Sequence, residues 1–170
     1  MSDQATTLGE LADREAIRQQ IYNYCRAVDR MDADLGYKVW HEDGTADYGE
    51  DVYQGTGRGF IDHVNAVHAH LLAHSHQVTN IIIHLDGDRA ASESYHVAYL
   101  TMDRGGQLME MRVCGRYLDK WSRRNGLWAI DHRTTVRDID SIQPITALSK
   151  CEVGSRDATD PSYRFLGSGA

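Results

Sequence analysis

In residues 71–83, LLAHSHQVTNIII, two imidazoles, His74 and His76, stand where helically spaced apolar residues give way to a β-branched run. An imidazole on a half-buried strand is a base tuned by its surroundings. Desolvation favours the neutral ring, and a nearby carboxylate pulls the other way. His76 is the stronger candidate, because a strand would place it on one face with Val78, Asn80 and Ile82. The matching carboxylate is Asp29. At ~100° per residue it lies at the margin of an apolar helical stripe, one step past Val28 and one turn after Cys25. Turned inward, it would keep one ring nitrogen of His76 protonated and leave the other free to accept a proton, the orienting half of a triad without the serine. Read alone, Asp29 is also a plain helix-end aspartate beside Arg30 and Asp32, and His76 a satisfied core histidine.

Other residues could join them. Tyr24 sits on the apolar face of the same helix, so its hydroxyl needs a partner in the core. Tyr48, in a short strand, and Tyr99, in a long one, could also point inward. Arg133 and Arg137 share a strand face with Ala129, Asp131 and Thr135, an alternation that a solvated face would show as well. His70 and His74 are four apart and would share a helix face. The residues between them include no glutamate of the H-E-x-x-H kind, so no metal or other cofactor is expected.

These groups must be positioned by a chain of 170 residues, the size of one domain with a core of its own. A net charge of −7 without a basic cluster argues against nucleic acid. No apolar run is long enough for a bilayer, and the polar N-terminus lacks a signal core. The three scattered cysteines, Cys25, Cys114 and Cys151, suit reduced thiols in the cytoplasm. Capping-box spacing from Thr7 to Glu10 opens a helix whose stripe is Ile17, Ile21, Tyr24, Cys25 and Val28. A second helix is expected over residues 33–40, ending before the turn-like HEDGT. A third carries Phe60, Ile61, Val64, Val67, Leu71 and Leu72. Four long strand-like segments follow, separated by the turns DGD, DRGG and RRNG. Helices first and an antiparallel meander second predict an α+β domain. Val78 and Ile82 on one face of the first long strand, with Ile81, Ile83 and Leu85 on the other, suggest that a second subunit covers part of the sheet.

The segments YNYCRAVDRMD, SHQVTN and GRYLDKWSRRNGLWAIDHRTT resemble the SnoaL-like branch of the nuclear-transport-factor-2-like superfamily. The nearest likeness is to its scytalone dehydratase, hexachlorocyclohexane dehydrochlorinase and bile-acid 7α-dehydratase members. The resemblance spans about residues 8–140 and implies a cone, a curved antiparallel sheet wrapped around N-terminal helices with an internal apolar cavity. The cone would occupy residues 1–145, with 146–170 as a C-terminal extension. It assigns Asp29 and His76 to a catalytic dyad, followed by Thr79 and Asn80 as the motif expects. Tyr24 and Tyr48 match substrate-contacting tyrosines, and Arg133 or Arg137 lies near a pocket arginine. His96 stands near, but out of register with, a second pocket histidine. With Tyr99 and Asn80, these complete the expected substrate-binding set. The resemblance further implies a homotrimer. The expected activity is a cofactor-independent lyase, by default a dehydratase, acting on a small apolar cyclic or aromatic hydroxylated compound in aromatic-compound breakdown. Loss of formaldehyde or halide would use the same parts. An isomerase or polyketide cyclase using Asp29 as base, or a binding module without chemistry, are the alternatives.

Overall fold

The computed structural model describes residues 7–146 and 153–166. Helix α1 (Leu8–Arg30) begins where Thr7 and Glu10 satisfy each other's backbone. The Glu10 carboxylate accepts from the Thr7 N–H at 2.7 Å, and the Thr7 hydroxyl accepts from the Glu10 N–H at 3.2 Å. The helix stops at Met31, which turns left-handed (φ 53°) and returns its N–H to the Ala27 and Val28 carbonyls. The expected stripe is the buried one. Enclosing side chains such as Ile17 and Ile21 stabilises the fold by about 1.5–3 kcal/mol each.

Helix α2 (Ala33–Lys38) is capped by Asp32 and is shorter than expected. Trp40 already belongs to strand β1 (Trp40–Asp47), and HEDGT runs inside that strand rather than forming a turn. Its register against the neighbouring strand slips between Trp40 and Thr45. Glycine is needed at 44, since a Cβ there would lie 2.6 Å from the Ile130 carbonyl oxygen. After strand β2 (Gln54–Thr56), helix α3 (Gly57–His68) starts hard against Trp40, where a Cβ on Gly57 would come within 2.1 Å of the indole. This helix also ends earlier than its apolar spacing predicts. Val67 is half exposed, and Leu72 already donates its N–H to Thr101 of the sheet.

Four long strands complete the fold: β3 (Ala73–Asp86), β4 (Arg89–Arg104), β5 (Gln107–Arg124) and β6 (Leu127–Pro144). The last hairpin turns on Asn125 and Gly126, both at positive φ, the backbone an Asn-Gly pair favours. The strands form one curved, unclosed sheet in the order β2-β1-β6-β5-β4-β3. It is an α+β cone, with one departure from the antiparallel sheet expected: β1 runs parallel to β6. Helices α1 and α3 pack on the inner face, with Ile83, Tyr117, Trp121, Trp128 and Ile130 completing the core.

Strand β3 changes phase midway. Asn80 takes φ 51°, and the register passes from Thr79 opposite Tyr95 to Ile82 opposite Glu93, one extra residue on β3. His74, His76 and Val78 therefore share the inner face with Ile81, Ile83 and Leu85, while Ile82 is 51% exposed. The strand has one apolar face with a step in it. The reading of two apolar faces, from which a subunit contact was inferred, is corrected.

Candidate active site

The last turn of α1 and the start of β3 grip each other at consecutive inward positions. His74 donates Nε2–H to the Val28 carbonyl at 2.9 Å. Asp29, one residue on, receives the His76 backbone N–H at 2.9 and 3.1 Å and lies 2.7 Å from His76 Nδ1. Both side chains are nearly enclosed, 7% exposed for His76 and 14% for Asp29. With Nδ1–H given to the carboxylate, the lone pair of a neutral ring sits on Nε2. That atom has no partner among the described residues and keeps some accessible surface.

His74 is thus not a helix-end residue but a buried strand residue that fixes the peptide preceding Asp29. The ring of His68 lies 4.5 Å from that of His74 and 5.9 Å from that of His76. Burial, and then the neighbouring imidazoles, depress His68 to about 3; burial also lowers His74. His70 lies beyond α3 and shares no helix with His74. Among the described residues, no three His, Cys, Asp or Glu side chains gather as a metal site.

A second wall is built from α1, β1, β5 and β6. The Tyr24 and Tyr48 hydroxyls are 2.8 Å apart, with Tyr48 just past the end of β1 and its ring stacked on Phe60. Burial raises both phenol pKa values; for Tyr48 the Arg133 charge partly offsets this. Arg133 itself has no exposed surface. It donates Nε–H and Nη2–H to Asp119 at 2.7 and 2.8 Å, and its guanidinium lies 4.1 Å above the Tyr117 ring and 4.3 Å from that of Tyr24. Burial pushes the guanidinium toward its neutral form, but the Asp119 carboxylate outweighs this and holds its pKa high. His96 stacks on the other side of the wall, 4.0 Å from Tyr117 and nearly parallel. Burial, and then the His76 charge, lower it to about 4.

The structure brings together Asp29 and His76 at one place, and Tyr24, Tyr48, Arg133 and His96 around Tyr117. The remaining expected site residues fall elsewhere. Tyr99 alternates with buried Ala98 and Leu100 and so lies on the outer face, opposite Ser75 and Arg112. Asn80 is the exposed bulge residue. Arg137 is 70% exposed and pairs with Asp140. Arg133 and Arg137 keep the same phase, opposite Asp119 and Gly115 of β5, so alternation cannot tell them apart; β6 slips register on either side of this stretch, between Ile130 and His132 and between Arg137 and Ile139. The first slip aligns Ile130, rather than Ala129, with Arg133. Asp119 and Tyr117 were overlooked, although YLDKW places a carboxylate in phase with two large aromatics. His68 carried no such signal. The wall beside the dyad is polar and aromatic, where an apolar lining was expected.

The extension reaches this end of the cone. Residues 153–157 and Asp29, Arg30, Met31, Ala69, Leu72 and His74 line a hollow of about 670 Å³. Phe165 and Leu166 of the extension are exposed; Asp160, 3% exposed, is the residue that buries. Two further hollows, of about 600 and 560 Å³, lie on the outer face around His84, Ala91 and Lys120.

The curved sheet wrapped around N-terminal helices defines the class of protein. Residues 9–134 match the SnoaL-like domain family model, so the chain belongs to that family. Solved structures share the fold. One is hexachlorocyclohexane dehydrochlorinase LinA-type3 from Novosphingobium barchaimii, 18% identical over 87% of this chain and 100% of that one, with a TM-score of 0.72. Another is a Novosphingobium aromaticivorans protein provisionally named scytalone dehydratase, 20% identical over 81% and 91%, TM-score 0.68. A third, from the same organism and provisionally named an aromatic ring hydroxylase, is 24% identical over 84% and 96%, TM-score 0.66. Identities this low establish the fold alone. No curated protein sequence matches the chain. Among the described residues, no helix is long and apolar enough to cross a membrane.

Proposed function

We propose that the protein is a cofactor-independent lyase acting on a small cyclic or aromatic hydroxylated compound. The observation that carries this is the 2.7 Å contact of His76 Nδ1 with Asp29, which leaves Nε2 open. His76 Nε2 removes a proton from carbon next to a carbonyl. The carbon–oxygen bond beyond it breaks, a double bond forms, and the oxygen leaves as water once it takes a proton from the imidazolium. Both carboxylate oxygens of Asp29 are engaged by His76, which supports giving the base role to the imidazole and an orienting role to the aspartate. Tyr24 and Tyr48 supply hydrogen-bond donors for an oxygen that gains charge. A positioned base contributes about 10²–10⁴-fold, and preset donors in a dry site a comparable factor. The same parts serve loss of formaldehyde: Nε2 takes the proton of a hydroxyl, the adjoining carbon–carbon bond breaks with its electron pair passing to a carbon next to a carbonyl, and the imidazolium returns the proton there.

Hydroxylated cyclic ketones and aryl carbinols, screened by mass for products lighter by water or formaldehyde, provide the test. His76→Ala and Asp29→Asn should each lower turnover at least about 10²-fold while far-UV circular dichroism stays unchanged. Near-full activity in either variant removes the dyad, and a product of unchanged mass marks an isomerase instead. The unpaired Cys25 and Cys114 support a cytoplasmic setting. A homotrimer, which the resemblance to the dehydratases implies, is proposed with this reading; sedimentation equilibrium reads the mass.

A further inference from the structure

Six buried polar atoms from five residues surround Tyr117 without a hydrogen-bond partner: Trp40 Nε1, Ser94 Oγ, both ring nitrogens of His96, Arg133 Nη1 and Thr135 Oγ1. They form one cluster. Ser94 and Thr135 flank Tyr117 in register across β4, β5 and β6. His96 and the Arg133 guanidinium lie against the Tyr117 ring at 4.0 and 4.1 Å, and Trp40 is 5.6 Å from that guanidinium. Leaving a buried polar group without a partner is costly, and native folds carry few of them. So many in one place imply an occupant that hydrogen-bonds.

We infer that this cluster is a second anchor of the substrate site and takes a neutral oxygen-bearing group, a hydroxyl or carbonyl, in preference to a halogen or a carboxylate. The inference deepens the proposed function and rests on it for the location of the reacting end. The chemistry of the cluster sets the class. Arg133 Nη1 and Trp40 Nε1 only donate, whereas Ser94, Thr135 and a neutral His96 both donate and accept. A carbon–halogen bond would leave nearly all of them unpaired. A carboxylate would find the Arg133 charge already taken by Asp119 in a bidentate pair and would add a buried, uncompensated negative charge. A hydroxyl, able to give and to receive, matches the inventory.

The test uses phenol, chlorobenzene and benzoate, titrated into ¹⁵N-labelled protein while the three tryptophan indole N–H signals are followed. An apolar hollow ranks chlorobenzene above phenol, because phenol is better hydrated in water; the polar anchor reverses that order. Phenol is expected to shift the Trp40 indole signal and to half-saturate at least three-fold below chlorobenzene and benzoate. In the Ser94→Ala/Thr135→Val double variant, with thermal unfolding as the folding control, this preference should fall to one or reverse. Chlorobenzene or benzoate binding as tightly as phenol overturns the inference. So does a preference that survives the double variant, or no saturable shift with phenol. Binding is read without turnover. If the dyad reading fails because His76→Ala stays active, an intact phenol preference still supports the anchor.

Discussion

His68 and His96 are held by burial at about 3 and about 4, against an ordinary histidine value of 6.5. Between those values and 6.5 the unfolded chain binds protons that the folded one refuses. Stability rises with pH wherever the unfolded state holds more protons, so their contribution is complete above pH 6.5 and is lost as the pH falls. Each histidine adds a slope of up to about 1.4 kcal/mol per pH unit until its folded pKa is reached, His96 first and then His68. Urea denaturation between pH 7.5 and 4.5 should show this decline, and His96→Gln should make it shallower by up to about half. An unchanged slope in that variant would mean that His96 titrates normally in the fold. The two imidazoles differ in how readily sequence exposes them. His76 announces itself by following a helical stripe into a β-branched run. His68 looks like one more polar residue at a helix end, because nothing local shows that β3 will lay two other imidazoles against it.

At the scale of elements, the step in β3 decides which side chains reach the dyad's face. Asn80 supplies the left-handed backbone that inserts the extra residue, a conformation that costs an ordinary L-residue about 1–2 kcal/mol. Asn80→Gly is expected to be near neutral, and Asn80→Val to destabilise by about 1–2 kcal/mol because a β-branched residue fits that region worst. Thermal unfolding of the two variants checks this; equal melting temperatures would show that the bulge relaxes without cost. The element-level reading succeeded where local chemistry is self-contained: the Thr7–Glu10 box, the α1 stripe and the Asn125–Gly126 turn. It failed where tertiary contacts override spacing. α3 stops at His68 although Leu71 and Leu72 continue its period, because the chain there has already bonded to β4. Alternation likewise could not separate Arg133 from Arg137, since the register between them is unbroken and both fall on one face of β6.

For the molecule as a whole, the C-terminal segment ties together the two elements whose ends carry Asp29 and His68. Asp160 accepts from the backbone N–H groups of Ser155 at 2.9 Å and Ser162 at 3.0 Å, and it pairs with Arg30 of α1 at 3.3 Å. Hydrogen bonding from Ser162 leads the effects that hold its carboxyl down at about 2. Arg156 donates to the His68 carbonyl at the end of α3, and Arg26 lies over the Tyr163 ring. The buried anchor of the segment is a carboxylate, recognisable only once Arg30 and the serines are seen around it. Asp160→Ala should therefore release the segment while leaving the cone folded. Trypsin cleavage after Arg156 should accelerate about ten-fold, equivalent to ~1.4 kcal/mol of lost local closure, with the main thermal transition nearly unmoved. Unchanged cleavage would mean that the Arg156 and Tyr163 contacts hold the segment without Asp160. A collapse of the thermal transition would make the segment part of the core, because a strap that only rests on α1 and α3 can open without unfolding the sheet beneath them.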